Sequence, residues 1–227
     1  MGVCAYRKTL GTDNSRSRVA VSLGRVVFTR RCFILGGLAV AGQAQKTVVD
    51  DPDFSQWQSF GAGLWAAEGP EIVGRFDKNR PGPGYLFTRD VFTDFRLVML
   101  FRISSGGKSG IYVREPRRRW SLDGDNRPGF GPDGGYEILV NYQDHDNPTG
   151  TIYNVQKSKK SVGAEEKWNE LEILCRGSEI RVSVANQLVN RYNQLRVQAG
   201  VIGFEVPGTA TQDFTVRYRD IQIISVT

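Results

Sequence analysis

The sequence predicts an all-β protein, an antiparallel β-sandwich. Three observations lead there. From about residue 54 onward, short segments with apolar residues at alternate positions are divided by Gly, Pro, Asp and Asn clusters. No amphipathic helix longer than two turns is evident, and 40% hydrophobic content over 227 residues is enough for a substantial core. Alternation of this kind buries one face of a sheet and leaves the other polar, so function is expected on the second face.

Strands are predicted over residues 57–60, 64–67, 71–74, 85–87, 94–103, 109–114, 135–143, 150–154, 167–175, 179–184, 187–191, 200–205 and 214–225. That many short strands suits two packed antiparallel sheets. In 94–103, Phe95, Leu97, Met99 and Phe101 share one face, with Arg96 and Arg102 on the other. In 109–114, Ile111 and Val113 oppose Tyr112 and Arg114, and in 135–143, Tyr136, Ile138 and Val140 oppose Glu137, Leu139 and Asn141. Arg114 and Glu137 are therefore expected on one solvent face, where they could pair. Near the end, Ile202 and Phe204 bury one side of their strand and leave Glu205 on the other. The insertion 115–134 is too long for a simple turn. Its DGDN tetrapeptide (123–126) reads as turn chemistry, because the ligand spacing of an EF-hand is absent.

The N-terminus reads as an export signal over residues 1–44: Arg30 and Arg31, then the apolar run CFILGGLAVAG, then small residues before Gln45. Paired arginines before an apolar run are similar to a bacterial twin-arginine signal, with an ordinary Sec signal as the alternative. Either route delivers the mature domain to the periplasm or the outside. The apolar run is too short to span a bilayer, so no transmembrane span is expected in the mature form. Residues 45–53 read as a short linker, and 54–227 as a single β-sandwich domain.

Removing the leader removes the charge. The chain has 30 Lys and Arg against 24 Asp and Glu, but residues 45–227 hold 23 of each. Without a basic stripe, nucleic acid is not an expected partner. Cys4 and Cys32 lie in the leader, leaving Cys175 alone in an exported domain, so no internal disulfide is expected. Cys175 continues the period of Leu171 and Ile173 and reads as a buried hydrophobe. One histidine and one cysteine exclude a structural zinc site.

No nucleophile elbow, phosphate loop or metalloprotease motif occurs. His145, the single histidine, stands between Asp144 and Asp146, either as a base with a raised pKa or as an exposed loop residue. Glu137 and Glu205 are candidates for the two acids that carbohydrate chemistry places on one concave face. Tyr112, Tyr153 and Trp120 are candidates for stacking on sugar rings.

Taken in order, Trp65, GYLFTRDVFTDFRLVMLFRI (84–103), SGIYVR (109–114), GGYEILVN (134–141), TGTIY (149–153), KWNELEI (167–173), ANQLVN (185–190), IGFEVP (202–207) and YRDIQI (218–223) resemble the motifs of the 3-keto-disaccharide hydrolase domain family, formerly DUF1080, from about Phe54 to Val226. The resemblance implies a jelly-roll sandwich similar to concanavalin A-like lectins and glucanases. Arg114, Glu137 and Tyr153 keep the family pattern. Lys108, Leu139, Asn141 and Glu205 stand where the family has asparagine, glutamine, an acid and glutamine, and a late histidine is missing.

In the family reaction a ketone at C3 of a glycoside acidifies the proton on C2, so a base can remove it and expel the C1 substituent before water adds. For that reaction the base role is expected of Glu137 or His145. Enolate stabilisation falls to Arg114, alone or with a divalent metal, and sugar binding to Tyr112, Asn141, Tyr153 and Glu205. The alternative is a non-catalytic carbohydrate-binding module. In either case the expected partner is a carbohydrate.

Overall fold

In the computed structural model the described residues are 54–117, 120, 128–129, 134–193 and 196–226, with backbone alone at 47–48. Among them the chain forms β1 (Thr47–Val48), β2 (Trp57–Gly61), β3 (Leu64–Glu68), β4 (Glu71–Phe76), β5 (Gly84–Thr88), β6 (Phe95–Ile103), β7 (Lys108–Glu115), β8 (Tyr136–Asn141), β9 (Asn169–Arg176), β10 (Glu179–Val184), β11 (Gln187–Tyr192), β12 (Val201–Val206) and β13 (Phe214–Ser225). No helix occurs among the described residues, so none is long and apolar enough to cross a membrane. The leader 1–44, the DGDN segment and most of the insertion lie outside the described residues.

The strands form two antiparallel sheets, which makes the protein an all-β jelly-roll sandwich. The larger runs β11-β10-β9-β6-β13-β4-β3, with β1 also on β13, and the smaller runs β2-β5-β12-β7-β8. Period-two alternation supplies the core between them. Phe95, Leu97, Met99, Phe101 and Ile103 of β6 are at most 1% exposed, while the residues between them are half-buried. From the smaller sheet, Ile138 and Val140 of β8 and Ile202, Phe204 and Val206 of β12 complete the layer. Each such side chain contributes roughly 1.5–3 kcal/mol through burial. Cys175 sits in this layer, and burial pushes its thiol up to about 12, so it behaves as a core residue.

Two segments depart from the predicted pattern. Thr47 and Val48, expected in a linker, pair with Ile224 and Ile223 of β13. Residues 150–154, expected as a strand, follow the free edge of β8 as a turn, with Gly150 at φ 92° and Asn154 at φ 55°. Ile152 makes only isolated bridges, to Ile138 and Gln156. Left-handed residues at both ends prevent continuous pairing.

Register on the smaller sheet decides which side chains meet on its outer face. Lys108 pairs with Asn141, Gly110 with Leu139 and Tyr112 with Glu137 across β7 and β8. On the other side, Glu205 of β12 lies opposite both Gly110 and Tyr85, and Gly203 lies opposite both Tyr112 and Phe87. The ladder between β7 and β12 slips beyond Tyr112, where Val201 pairs with Glu115. This bulge gives β7 one extra residue there, Arg114, at φ 52°.

Candidate active site

The outer face of the smaller sheet has a covered apolar end and an open polar end. At the covered end, Phe60, Tyr85, Phe87, Tyr112 and Val201 form an aromatic cluster beneath Trp120. The indole stacks on Phe87 with centroids 4.5 Å apart and on Phe60 at 5.6 Å. Gly203 is required below, because a Cβ there would lie 2.9 Å from Cγ of Phe87. The buried Glu115 carboxylate holds the covering chain in place, accepting from Trp120 Nε1 at 3.2 Å and from the backbone N–H groups of Gly129 and Gly135 at 2.8 Å each.

The open end is a cleft of about 700 Å³ lined by Tyr85, Lys108, Tyr112, Glu137, Leu139, Asn141, Asp144, Tyr153 and Glu205 among others. At its floor, Glu137 and Glu205 hydrogen-bond to each other above Gly110. Glycine makes this possible: a Cβ on residue 110 would lie 2.9 Å from Glu137 Cγ and 3.0 Å from Cδ. Tyr112 Oη donates to Glu205 Oε2 at 3.0 Å. Beneath the pair, Ser109 Oγ donates to the Glu205 carbonyl at 2.5 Å and lies 2.6 Å from Tyr218 Oη, joining the two sheets under the site.

Two half-buried carboxyls in contact cannot both ionise cheaply. Burial first, and the charge of Glu205 second, push Glu137 well above the usual carboxylate range. Burial also raises Glu205, but hydrogen bonds from Tyr112, Glu137 and Tyr85 and the charge of Lys108 oppose that rise. The two carboxyls therefore hold one proton between them. Burial and the neighbouring carboxylates push the Tyr112 phenol well up, so it remains a hydrogen-bond donor. Contact between the carboxyls also separates this pair from those of displacing glycosidases, which stand about 5 Å or more apart to leave room for a nucleophile or water.

Of the residues proposed from sequence, Glu137, Glu205, Tyr112, Asn141 and Tyr153 line one cleft. Tyr153 is 48% exposed, and its backbone N–H donates to the Glu137 backbone carbonyl at 2.9 Å, which ties its backbone to β8 beside Glu137. Asn141 is partly engaged in turn formation, Oδ1 accepting from the N–H groups of Gln143 and Asp144 at 3.0 and 3.3 Å.

Arg114 and His145 are not brought to the cleft. The bulge takes Arg114 out of alternation with Tyr112, so Glu115 occupies the outer face in its place. The Arg114 guanidinium is fully buried, donating to Gly177 O at 2.7 Å and Thr93 O at 3.1 Å and pairing with Asp94 at 2.9 Å. It pairs with Asp94 and not with Glu137, and it clamps neighbouring loops outside the cleft, where an enolate stabiliser was expected inside it. His145 is exposed in the 142–148 turn, whose cleft-facing members are Asp144 and Asn147. These two close the turn on each other, Asn147 Nδ2 donating to Asp144 Oδ2 at 2.9 Å, and that bond leads the lowering of the Asp144 carboxyl.

Sequence reasoning passed over Lys108 and Tyr85 as site residues. Continuing the alternation of β7 one step back from Tyr112 and Gly110 places Lys108 on the site face, a signal present in the sequence. Tyr85 carries no such local signal. Among the described residues no group of three or more His, Cys, Asp or Glu side chains is placed to hold a metal ion. With an ammonium acting on both carboxyls as well, the described residues do not fit the divalent metal that the resemblance allowed.

Residues 44–224 match the 3-keto-alpha-glucoside-1,2-lyase-like domain family. No curated protein matches the chain. Among solved structures, a Parabacteroides distasonis ATCC 8503 protein assigned as a glycosyl hydrolase aligns at TM-score 0.61 and 17% identity, covering 80% of this chain and 100% of the other. A Bacillus subtilis protein of unknown function with a galectin-like fold aligns at TM-score 0.60 and 10% identity, covering 80% and 98%. The carbohydrate-binding module CBM66 from Bacillus subtilis aligns at 0.54 and 17%, covering 75% and 96%. At such identities the likeness is one of fold.

Proposed function

This chain belongs to the 3-keto-alpha-glucoside-1,2-lyase-like domain family, and on that premise we propose that it cleaves 3-keto-glycosides by removing the C2 proton and eliminating the C1 substituent. The observation that carries the reading is the Glu137–Glu205 pair, hydrogen-bonded on the floor of the cleft. Two carboxyls sharing one proton provide a base and an acid in one place, which an elimination requires.

In the reacting tautomer Glu205 holds the shared proton and Glu137 is the carboxylate. Glu137 takes the C2 proton, and the C2–H electrons form the C2–C3 double bond of an enolate with its charge on O3. Lys108, whose charge already acts on both carboxyls, balances that oxyanion. The electrons then return to re-form the C3 ketone, a C1–C2 double bond forms, and the C1–O bond breaks. Glu205 gives its proton to the departing oxygen. Addition of water across the new double bond yields the 3-keto-sugar. Tyr112 holds Glu205 in position, and Tyr153 offers a ring face for the sugar. The leader read at residues 1–44 adds export to the proposal, to be tested by fractionating cells that express the full chain.

The exposed ring of Tyr153 favours a second reading, a non-catalytic carbohydrate-binding module. One experiment separates the two. Full chain incubated with phenyl 3-keto-glucoside is expected to release phenol, and Glu137→Gln to slow release by about 10²–10⁴. No release from any 3-keto-glucoside, with sugar binding that survives Glu137→Gln but is lost in Tyr153→Ala, would transfer the protein to the second reading.

A further inference from the structure

Beside the cleft lies a second hollow of about 630 Å³, which shares Lys108, Gly208 and Thr209 with it. The two therefore adjoin. The second hollow is bounded by Phe76 and Lys78 after β4, by the β6–β7 turn, and by the β12–β13 loop through Thr211. These segments are tied together. Lys78 N donates to Asp213 Oδ1 at 2.9 Å and Gln212 Nε2 to Ser105 O at 2.8 Å.

Charge divides between the two. Glu137, Glu205 and Asp144 line the cleft, whereas the ionisable residues lining the hollow are Lys78 and Lys108. Tyr153, the sugar platform, stands against β8, and the hollow opens on the opposite side of the pair. With C2 at Glu137 and the departing oxygen at Glu205, as the proposed reaction requires, the C1 substituent points toward the hollow.

We infer that this hollow is the leaving-group subsite and that Lys78 selects glycosides whose C1 substituent carries a carboxylate. Phe76 and Thr211 provide an apolar floor and a hydroxyl for the body of that group. The inference deepens the proposed reaction and rests on it. The discrimination expected from solvent-exposed charges is about five-fold and sensitive to salt.

The test compares 4-carboxyphenyl with phenyl 3-keto-glucoside on the full chain, taking the ratio of their kcat/KM values in wild type and in Lys78→Glu. The ratio is expected to fall at least five-fold in the variant and to fall in wild type at high salt. An unchanged ratio overturns the subsite. Binding of 4-hydroxybenzoate, the leaving group itself, is measured in parallel. If neither glycoside is cleaved, the proposed reaction fails, while weaker 4-hydroxybenzoate binding by Lys78→Glu than by wild type still supports an anion-selective hollow. Equal binding by both proteins overturns it.

Discussion

Glu137 and Glu205 reach each other across Gly110. Glu137 comes from β8 and Glu205 from β12, on either side of β7, and the strand between them contributes no side chain at the point where they meet. The contact therefore depends on three strands being in register, and the properties of the site follow from it.

The pair makes stability fall as pH rises. Burial and Glu205 raise Glu137 above the ordinary glutamate value of 4.5 in the folded chain. A carboxyl raised on folding contributes stability below its unfolded value, and that contribution is lost as pH rises through the folded value. Wild-type melting temperature is expected to drop over a window that opens near pH 4.5 and extends up to the raised value of the pair. Glu137→Gln is expected to flatten that slope while reducing kcat/KM by about 10²–10⁴. Thermal melts from acid to neutral pH check the first part, and a variant as steep as wild type would contradict it.

Gly110→Ala tests the space between the carboxyls. The added methyl occupies the position of the Glu137 side chain, so the pair must separate. Overpacking of this kind costs about 1–3 kcal/mol, and activity is expected to fall by more than that loss of folded protein explains. A crystal structure of the variant with the two carboxyls still in contact would count against the relationship.

Arg114 is expected to act on stability and not on turnover. It is buried and bonded to Thr93, Asp94 and Gly177. Arg114→Ala leaves Asp94 with only the Gly177 N–H as donor and takes the guanidinium from the Thr93 and Gly177 carbonyls, at a cost of about 3 kcal/mol. Should that variant fail to fold, Arg114→Lys retains the charge but loses the fork, and a smaller loss is expected. Denaturant melts measure the stability, and kcat per folded molecule is expected to remain within about three-fold of wild type. A collapse of kcat in a well-folded Arg114→Lys protein would return Arg114 to the chemistry.

Strand alternation was legible residue by residue because it is a local property. Phe95 through Ile103 and Tyr136 through Asn141 each declare a buried and an exposed side within a few positions, and the core used those sides as read. Glu137 and Glu205 were legible as separate outer-face acids for the same reason. The contact between them was not legible, since 68 residues separate them and nothing local to either names the other.

Arg114 marks the limit of local reading. By period it belongs with Tyr112, and a strand without a bulge would have turned it toward Glu137. The extra residue in β7 is set by how that strand pairs with Val201 and Gly203 of β12, a long-range condition that reverses the outcome for one side chain and places Glu115 on the outer face. The sequence by itself thus determined the fold class, the core and the face on which the site lies, because each follows from a period of two. Only the tertiary structure decided which polar side chains converge, because convergence depends on register between strands distant in sequence, and a single bulge is enough to redirect it.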